Sequence, residues 1–275
     1  MNNYQYKQNA YYLIYLIRCV LLNRIPDKEK LGKMDLSQLF RVAQRHSLTA
    51  IAAYALESAG MYDRTFMEAK NKAIRKNIIL DVERENVFAE FEKAGIWYMP
   101  LKGIILKDYY PQIGMRQMAD NDFLIDKTRQ SDIKDIMLSC GFKIEQYDKS
   151  KHDVYFKEPV CNFQMHISLF EEDSKDILYN YFKEIDKRLV TNENSNFGRQ
   201  FITEDFYLYI KAHEYKHYSN GGTGLRSLVD TYLYIKKYGK VIDWEYLGLE
   251  LTKLGIYDYE KNVACLSKIC LKVIS

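Results

Sequence analysis

Apolar and polar residues follow helical spacing at the two ends of this chain and strand-like spacing in its middle. Over residues 4 to 93 the apolar positions recur at helical spacing, and residues 10 to 22 form the one long apolar run. That run is shorter than the ~20 residues that a membrane helix needs and is interrupted by Arg18. It also lacks the layout of a signal peptide, so an amphipathic or buried core helix is predicted.

The helical region has recognisable boundary residues. Asp35 stands where a helix N-cap is expected, and Gly95 suits the C-cap of a long helix over residues 67 to 93. Six apolar residues in that long helix are its predicted core positions: Ile78, Ile79, Val82, Val87, Phe88 and Phe91. We therefore expect residues 1–94 to form an N-terminal helical region.

The middle of the chain combines strands with short helices. A strand over residues 96 to 101 leads into a helix that opens at Lys102 and Gly103 and that Pro111 ends. The further predicted elements are a strand at 122 to 126, a helix at 131 to 138, and a hairpin of 153 to 157 with 162 to 170. This pattern predicts an α/β core over residues 95–175.

Helical spacing returns after residue 175. The predicted helices are 176 to 187, 204 to 219, 224 to 238 and 243 to 274, in a C-terminal helical region over 176–275. The expected fold class is therefore α+β, with a short mixed sheet flanked by N- and C-terminal helical regions.

Composition narrows the range of functions. A net charge of +3 over 275 residues gives no strong electrostatic case for binding nucleic acid. The five cysteines are odd in number and form no CxxC pair, which argues against a disulfide framework or a cysteine zinc site. We expect reduced thiols in a cytoplasmic protein that has no membrane partner.

The strongest chemical candidate is a pair of carboxylates. Asp120 and Asp122 flank Asn121 and precede an apolar run, so in a strand both side chains point to one face. Two such carboxylates repel each other unless a cation lies between them, and Mg²⁺ prefers hard oxygen ligands. Taken alone, the same three residues also fit a solvated turn.

The neighbouring residues point to a known family. The order Lys102-Gly103, Tyr110-Pro111, Arg116 and Asp120-x-Asp122 resembles the uncharacterised nucleotidyltransferase family, a branch of the polymerase-beta-like superfamily. The likeness is most specific over residues 95 to 126. It continues more loosely at three other places: Gln164-Met165-His166, His213 to Asp230, and His46.

The resemblance implies metal-dependent transfer of a nucleotidyl group from an NTP to an acceptor. Asp120 and Asp122 are then catalytic and hold Mg²⁺ or Mn²⁺, while Lys102, Gly103 and Arg116 bind phosphate. The other substrate-binding candidates are Gln164, His166, His213, His217, Arg226 and Asp230. For the last four, a buried polar network is an equal alternative, and the acceptor (small molecule, RNA or protein) stays open.

One position departs from the family pattern. The superfamily usually has a third carboxylate on a neighbouring strand, and this chain has Gln164 there. An amide does not abstract a proton, so a catalytically inactive nucleotide-binding relative is an alternative. Asp153, Glu171 and Glu172 are candidate replacements that the sequence does not position.

A second motif predicts different chemistry. His213-Glu214-Tyr215-Lys216-His217 matches H-E-x-x-H, which on a helix presents two zinc ligands and a glutamate base for peptide hydrolysis. No third histidine follows at the metzincin spacing, although Asp230 or Glu245 could supply a ligand. A zinc metallopeptidase is therefore the less favoured alternative.

Overall fold

A computed structural model describes residues 1–271 and confirms the α+β class. The N-terminal part is helical, as predicted, and consists of α1 (Asn3–Leu21), α2 (Lys28–Gly32), α3 (Leu36–Arg45), α4 (Thr49–Ser58) and α5 (Arg64–Ala94). The apolar run lies in α1, which buries Leu13, Leu16 and Ile17. The predicted buried helix is therefore confirmed.

Both predicted helix caps are confirmed. The Asp35 carboxylate accepts hydrogen bonds from the backbone N–H groups of Ser37 and Gln38 at the start of α3. Gly95 ends α5 with φ +66°, a left-handed conformation that favours glycine.

The predicted inner face of α5 was partly wrong. Val87 and Phe91 are buried and Ile79 and Phe88 pack against the same core, but two of the six predicted residues, Ile78 and Val82, are 48% and 55% exposed. The reason is that α5 carries apolar residues on more than one face. The sheet covers only the stripe that includes Leu80, Val87 and Phe91.

Five strands form one mixed sheet in the middle of the chain: β1 (Tyr98–Pro100), β2 (Asn121–Ile125), β3 (Lys143–Gln146), β4 (His152–Lys157) and β5 (Cys161–His166). Their order is β1-β2-β5-β4-β3, with β2 and β5 parallel and the other neighbours antiparallel. Two helices connect them, α6 (Gly103–Leu106), which a 3₁₀ turn extends to Tyr109, and α7 (Gln130–Ser139). The sequence predicted every strand of this sheet except β3, although it made β1 and β5 too long.

The C-terminal part comprises α8 (Ile177–Phe182), a small hairpin of β6 (Val190–Thr191) and β7 (Arg199–Gln200), then α9 (Thr203–Ser219), α10 (Leu225–Tyr238), α11 (Trp244–Lys253) and α12 (Tyr257–Leu271). The predicted helix at 176 to 187 is shorter and is followed by a 3₁₀ turn. The predicted single helix at 243 to 274 was also wrong. It is two helices separated at Gly255, which has φ +69°, and residues 272 to 274 lie outside the described part.

The two faces of the sheet have different partners. On one face, Phe123, Phe163 and Met165 pack with α5 and α7 in one hydrophobic core. On the other face, Leu124 joins a core with α9 and α11. A third core unites the first helices with Val229 and Leu233 of α10. Within residues 1–271, no helix is long and apolar enough to cross a membrane. The division of the chain into the regions 1–94, 95–175 and 176–275 stays a prediction.

Candidate functional site

The parallel pairing of β2 with β5 brings the central polar residues together. Asp122 lies opposite Gln164 in the register, and Asp120 precedes β2 by one residue. The Gln164 amide donates a hydrogen bond to Asp120 Oδ2 at 3.1 Å, and His166 Nε2 lies 3.2 Å from Asp122 Oδ1. Each aspartate therefore has its own polar partner on β5.

The aspartate pair lines a cavity of about 590 Å³, a size typical of small-molecule sites. All eleven residues that the sequence singled out for the nucleotidyltransferase site lie on its wall. All five histidines of the chain line it too: His46, His152, His166, His213 and His217. The structure therefore brings the candidates together, while what each of them binds stays a prediction.

Lys102 lies on the wall of this cavity, close to Asp122 and His213. Its ammonium is 3.4 Å from Asp122 Oδ2 and donates a hydrogen bond to His213 Nε2 at 2.9 Å. The backbone of Lys102 has φ +30°, which is costly for a residue with a Cβ. This strained turn between β1 and α6 directs a positive charge at the carboxylate of Asp122.

The two aspartates differ in their proton affinity. Burial and then the charge of Asp122 raise the pKa of Asp120 to about 6. Burial also acts to raise the pKa of Asp122, but the hydrogen bond from His166 and the charge of Lys102 outweigh it and hold that pKa below its usual value. Burial lowers the pKa of His166, so its ring is neutral at pH 7 and donates Nε2–H to Asp122. Asp122 is therefore ionised throughout the physiological pH range, whereas Asp120 gains a proton as the pH falls to about 6.

Arg116 and Asp230 form a buried ion pair at the floor of the cavity. Arg116 Nε and Nη2 each donate to one oxygen of Asp230 at 3.0 Å, and the hydroxyl of Tyr110 donates to Asp230 at 2.7 Å. The third guanidinium nitrogen, Nη1, has only the sulfur of Met118 as a partner, at 3.4 Å. The pair therefore connects the loop before β2 to α10 and leaves one donor group of Arg116 weakly bonded.

Gly103 has a packing reason to be glycine. A Cβ at this position would lie 2.8 Å from Arg116 Nη1 and 2.9 Å from Met118 Cε. Since the guanidinium is held by Asp230, it has little freedom to move aside. Its predicted contact with phosphate is an additional role that stays a prediction.

His46 connects the N-terminal helices to α10, and Arg226 connects α10 to the loop before β2. His46 Nδ1 accepts a hydrogen bond from the backbone N–H of Leu225 at the start of α10, and its Nε2 lies 2.8 Å from the hydroxyl of Tyr6. Arg226 Nη1 donates to the backbone carbonyl of Gln117 at 3.2 Å. Both residues therefore have structural partners as well as a place on the cavity wall.

The second motif does not assemble a peptidase site in the described residues. His213 and His217 share one face of α9, with their Nε2 atoms 3.4 Å apart. However, Glu214 binds Lys211 at 2.6 Å, and the ammonium of Lys102 occupies the position next to His213. Within residues 1–271, no three histidine, cysteine, aspartate or glutamate side chains are arranged to hold a metal ion. The arrangement therefore gives no support to a zinc peptidase.

The candidate replacements for the third carboxylate lie elsewhere. Asp153 pairs with Met165 in the sheet, which puts it on the face opposite to Gln164, and it accepts hydrogen bonds from Gln130 and the Asp148 backbone. Glu171 and Glu172 are exposed and do not line the cavity. The cavity wall therefore has an amide, Gln164, at the position where the resemblance predicts an acid.

Lys151, His152 and Lys216 are among the residues of the cavity wall that sequence reasoning missed. Lys151 and His152 precede the hairpin strand that was predicted to begin at residue 153. Lys216 was noted only as a charge within the H-E-x-x-H motif. The sequence offered two local signals: Lys216 is next to His217, and the residues of β4 alternate between the faces of the sheet. Neither signal shows that Lys151 and Lys216, which are far apart in the chain, line the same cavity.

Comparison with known proteins gives one result for the family. The sequence model described as "uncharacterised nucleotidyltransferase" matches residues 32–272 of this chain, which is most of its length. Searches of curated proteins and of solved structures return no significant match.

Proposed function

This chain belongs to the uncharacterised nucleotidyltransferase family, and from that premise we propose that it transfers a nucleoside monophosphate group from an NTP to an acceptor in a metal-dependent reaction. One observation carries the proposal. Asp120, Asp122 and Lys102 meet on the wall of a cavity large enough for a small-molecule substrate. Family membership supports a nucleotide substrate, and this cluster supports the metal-dependent chemistry.

The donor set fits a divalent cation. Asp120 and Asp122 present hard carboxylate oxygens. Burial and then the charge of Asp122 raise the pKa of Asp120, and a bound cation would lower it again. Two carboxylates suffice for Mg²⁺ or Mn²⁺, because water and substrate phosphate commonly complete the coordination of such ions. Once bound, the cation would neutralise phosphate charge and favour ionisation of the attacking hydroxyl.

The chain's own residues would position the substrate. The Lys102 ammonium faces the Asp122 carboxylate and would supply positive charge to the triphosphate, as would Arg226 and the weakly bonded Nη1 of Arg116. Gln164 and His166 hold the two aspartates in place by hydrogen bonds. Positioning and charge neutralisation are the main contributions that a protein makes to this kind of transfer.

The proposed nucleotidyl transfer needs no reactant besides the NTP and the acceptor. A bond forms between an acceptor oxygen and the α-phosphorus of the NTP, and the bond from that phosphorus to the bridging oxygen breaks. Pyrophosphate leaves, and the proton of the acceptor hydroxyl passes to solvent. His213 and His217 line the cavity beside Lys102 and would contact either the nucleotide or the acceptor.

A binding protein without turnover is the second candidate, and Gln164 is the observation that favours it. Its amide donates to Asp120, so the usual third acid has no equivalent at this position. If the cation alone activates the acceptor, the lack of a third acid slows the reaction without abolishing it. If a protein base is required, the chain binds nucleotide and releases it unchanged.

The test is transfer of label from each of the four NTPs, labelled at the α-phosphate, to a cell extract that contains small molecules, RNA and protein, with Mg²⁺ present. The proposal predicts a labelled product with the wild-type protein and none with Asp120→Asn or Asp122→Asn. Nucleotide binding without any labelled product would support the binding protein instead.

The acceptor and the location are also proposals. A small molecule, an RNA and a protein hydroxyl all fit the chemistry described above. We propose a cytoplasmic location, which is supported by five free cysteines, two of them buried.

A further inference from the structure

The cavity contains positive charge that the proposed reaction does not use. Lys151, which directly precedes β4, and Lys216, on α9, line the same wall as Lys102. Lys151 lies outside the stretches that resemble the family, and Lys216, although it lies between His213 and Asp230, is not one of the candidate site residues that the resemblance implies. His213 and His217 line this cavity as well. Burial, and after it the charges of Lys102 and Lys151, lower the pKa of both rings, and the charge of Lys216 also lowers that of His217.

The nearby negative charge does not balance these three lysines. Asp122 faces Lys102 at 3.4 Å, and Glu171 lies 3.7 Å from Lys151. Lys216 forms no ion pair with any residue of the described part of the chain. The carboxylates Glu214 and Asp230, which also line the cavity, are already bound to Lys211 and Arg116. Asp120 also lines the cavity, but so does Arg226, which forms no ion pair within residues 1–271, so the cavity wall keeps a net positive charge.

This excess is costly because it is partly buried. The side chains of Lys151 and Lys102 are only 15% and 18% exposed. Burial, followed by the charge of Lys216, lowers the pKa of Lys151 below that of an ordinary lysine. Like charges that repel one another in a cavity are stabilised when an anion binds between them.

The cationic groups fall on two sides of the aspartate pair. On one side, Lys76 and Arg226 donate hydrogen bonds to the backbone carbonyls of Ala119 and Gln117, which come just before Asp120. On the other side, the carbonyl of Lys151 accepts a hydrogen bond from the N–H of Ile167, which follows the Asp122 partner His166. The Arg226 side is available to the triphosphate of the NTP. The Lys151 side then faces the second substrate.

We propose that Lys151, Lys216 and His217 bind a phosphate group of a small-molecule acceptor. This inference rests on the proposed transfer of a nucleotidyl group. A dianionic phosphate suits two ammonium groups and an imidazole better than a singly charged carboxylate does. A small molecule is favoured over a polynucleotide because the chain has a net charge of only +3 and the lysines line a cavity.

Calorimetric titration of inorganic phosphate tests the proposal. The protein is first saturated with Mg²⁺ and an NTP analogue whose α,β-bridging oxygen is replaced by methylene, so that no transfer occurs and the nucleotide site is filled. Phosphate is expected to bind, and acetate to bind more weakly. Lys151→Ala and Lys216→Ala should each weaken phosphate binding about tenfold, the loss of one charge-assisted contact, and leave affinity for the analogue within about threefold.

Lys149→Ala is the matched control, because it removes the same charge from an exposed position two residues before Lys151. It should bind phosphate like the wild type. Three results would overturn the acceptor site: no phosphate binding to the saturated protein, phosphate binding that the two substitutions leave unchanged, or loss of analogue binding in both variants. The last would assign the lysines to the NTP. Failure of the wild-type protein to bind the analogue would instead contradict the proposed function itself.

Discussion

Two neighbouring isosteric substitutions should change stability in opposite directions. The pKa of Asp120 is about 6, compared with 3.8 for an ordinary aspartate, and one pKa unit corresponds to about 1.4 kcal/mol. Keeping this carboxylate ionised at pH 7 therefore costs the folded protein about 3 kcal/mol. Asp120→Asn removes the charge and retains an oxygen that accepts the Gln164 hydrogen bond, so it should stabilise the fold by up to that amount.

The sign depends on pH. Because the pKa of Asp120 is higher in the folded protein than in the unfolded chain, the folded state binds the proton more tightly. Ionising Asp120 costs the folded protein no free energy below the pKa that this carboxyl has in the unfolded chain. The cost grows as the pH rises to about 6 and stays constant above that value. The stabilisation by Asp120→Asn should therefore be full at pH 7 and nearly absent at about pH 4.

Asp122→Asn is the matched comparison. Its carboxylate is stabilised by His166 and faces Lys102, so the substitution leaves the partly buried ammonium without a counter-charge. We expect a loss of about 1–3 kcal/mol at pH 7. Urea unfolding in EDTA measures both variants without any contribution from metal binding. If both substitutions shift the free energy of unfolding in the same direction, the electrostatic description of the pair is wrong.

Three further predictions concern the same cavity. Arg116→Ala should lower the free energy of unfolding by about 3–5 kcal/mol, because it leaves the buried Asp230 carboxylate unpaired; urea unfolding at pH 7 measures this, and a loss below about 1 kcal/mol would contradict it. Gly103→Ala should cost about 1–3 kcal/mol through contact with Arg116, whereas Gly32→Ala, where nothing lies near the added Cβ, should not destabilise. Calorimetry should find that Mg²⁺-dependent NTP affinity falls about tenfold from pH 7 to pH 5, as Asp120 gains a proton; an unchanged affinity would refute this.

Local patterns explain what the sequence predicted well. The shared face of Asp120 and Asp122 follows from strand alternation, and the Asp35 and Gly95 caps follow from side-chain and backbone chemistry at single positions. Each needs information from only a few neighbouring residues. The fold class was predictable for the same reason, since helical and strand spacing differ within short windows.

The predictions that were wrong or missing depend on contacts between distant parts of the chain, or on patterns that fit more than one structure. Ile78 and Val82 fit the helical period of α5, but the period does not say which stripe the sheet covers. β3 was missed because three of its four residues are exposed and show no apolar alternation. Lys151 and Lys216 lie 65 positions apart in the chain and share a cavity wall only through the packing of α9 beside the sheet.

The most direct test of the metal-dependent site is calorimetric titration of the four NTPs, with and without Mg²⁺, into the wild-type protein and Asp122→Asn. The proposed function predicts that at least one NTP binds the wild-type protein only when Mg²⁺ is present, and that Asp122→Asn loses this binding while remaining folded. Equal binding with and without Mg²⁺, or unchanged binding by Asp122→Asn, would contradict the assignment of the site.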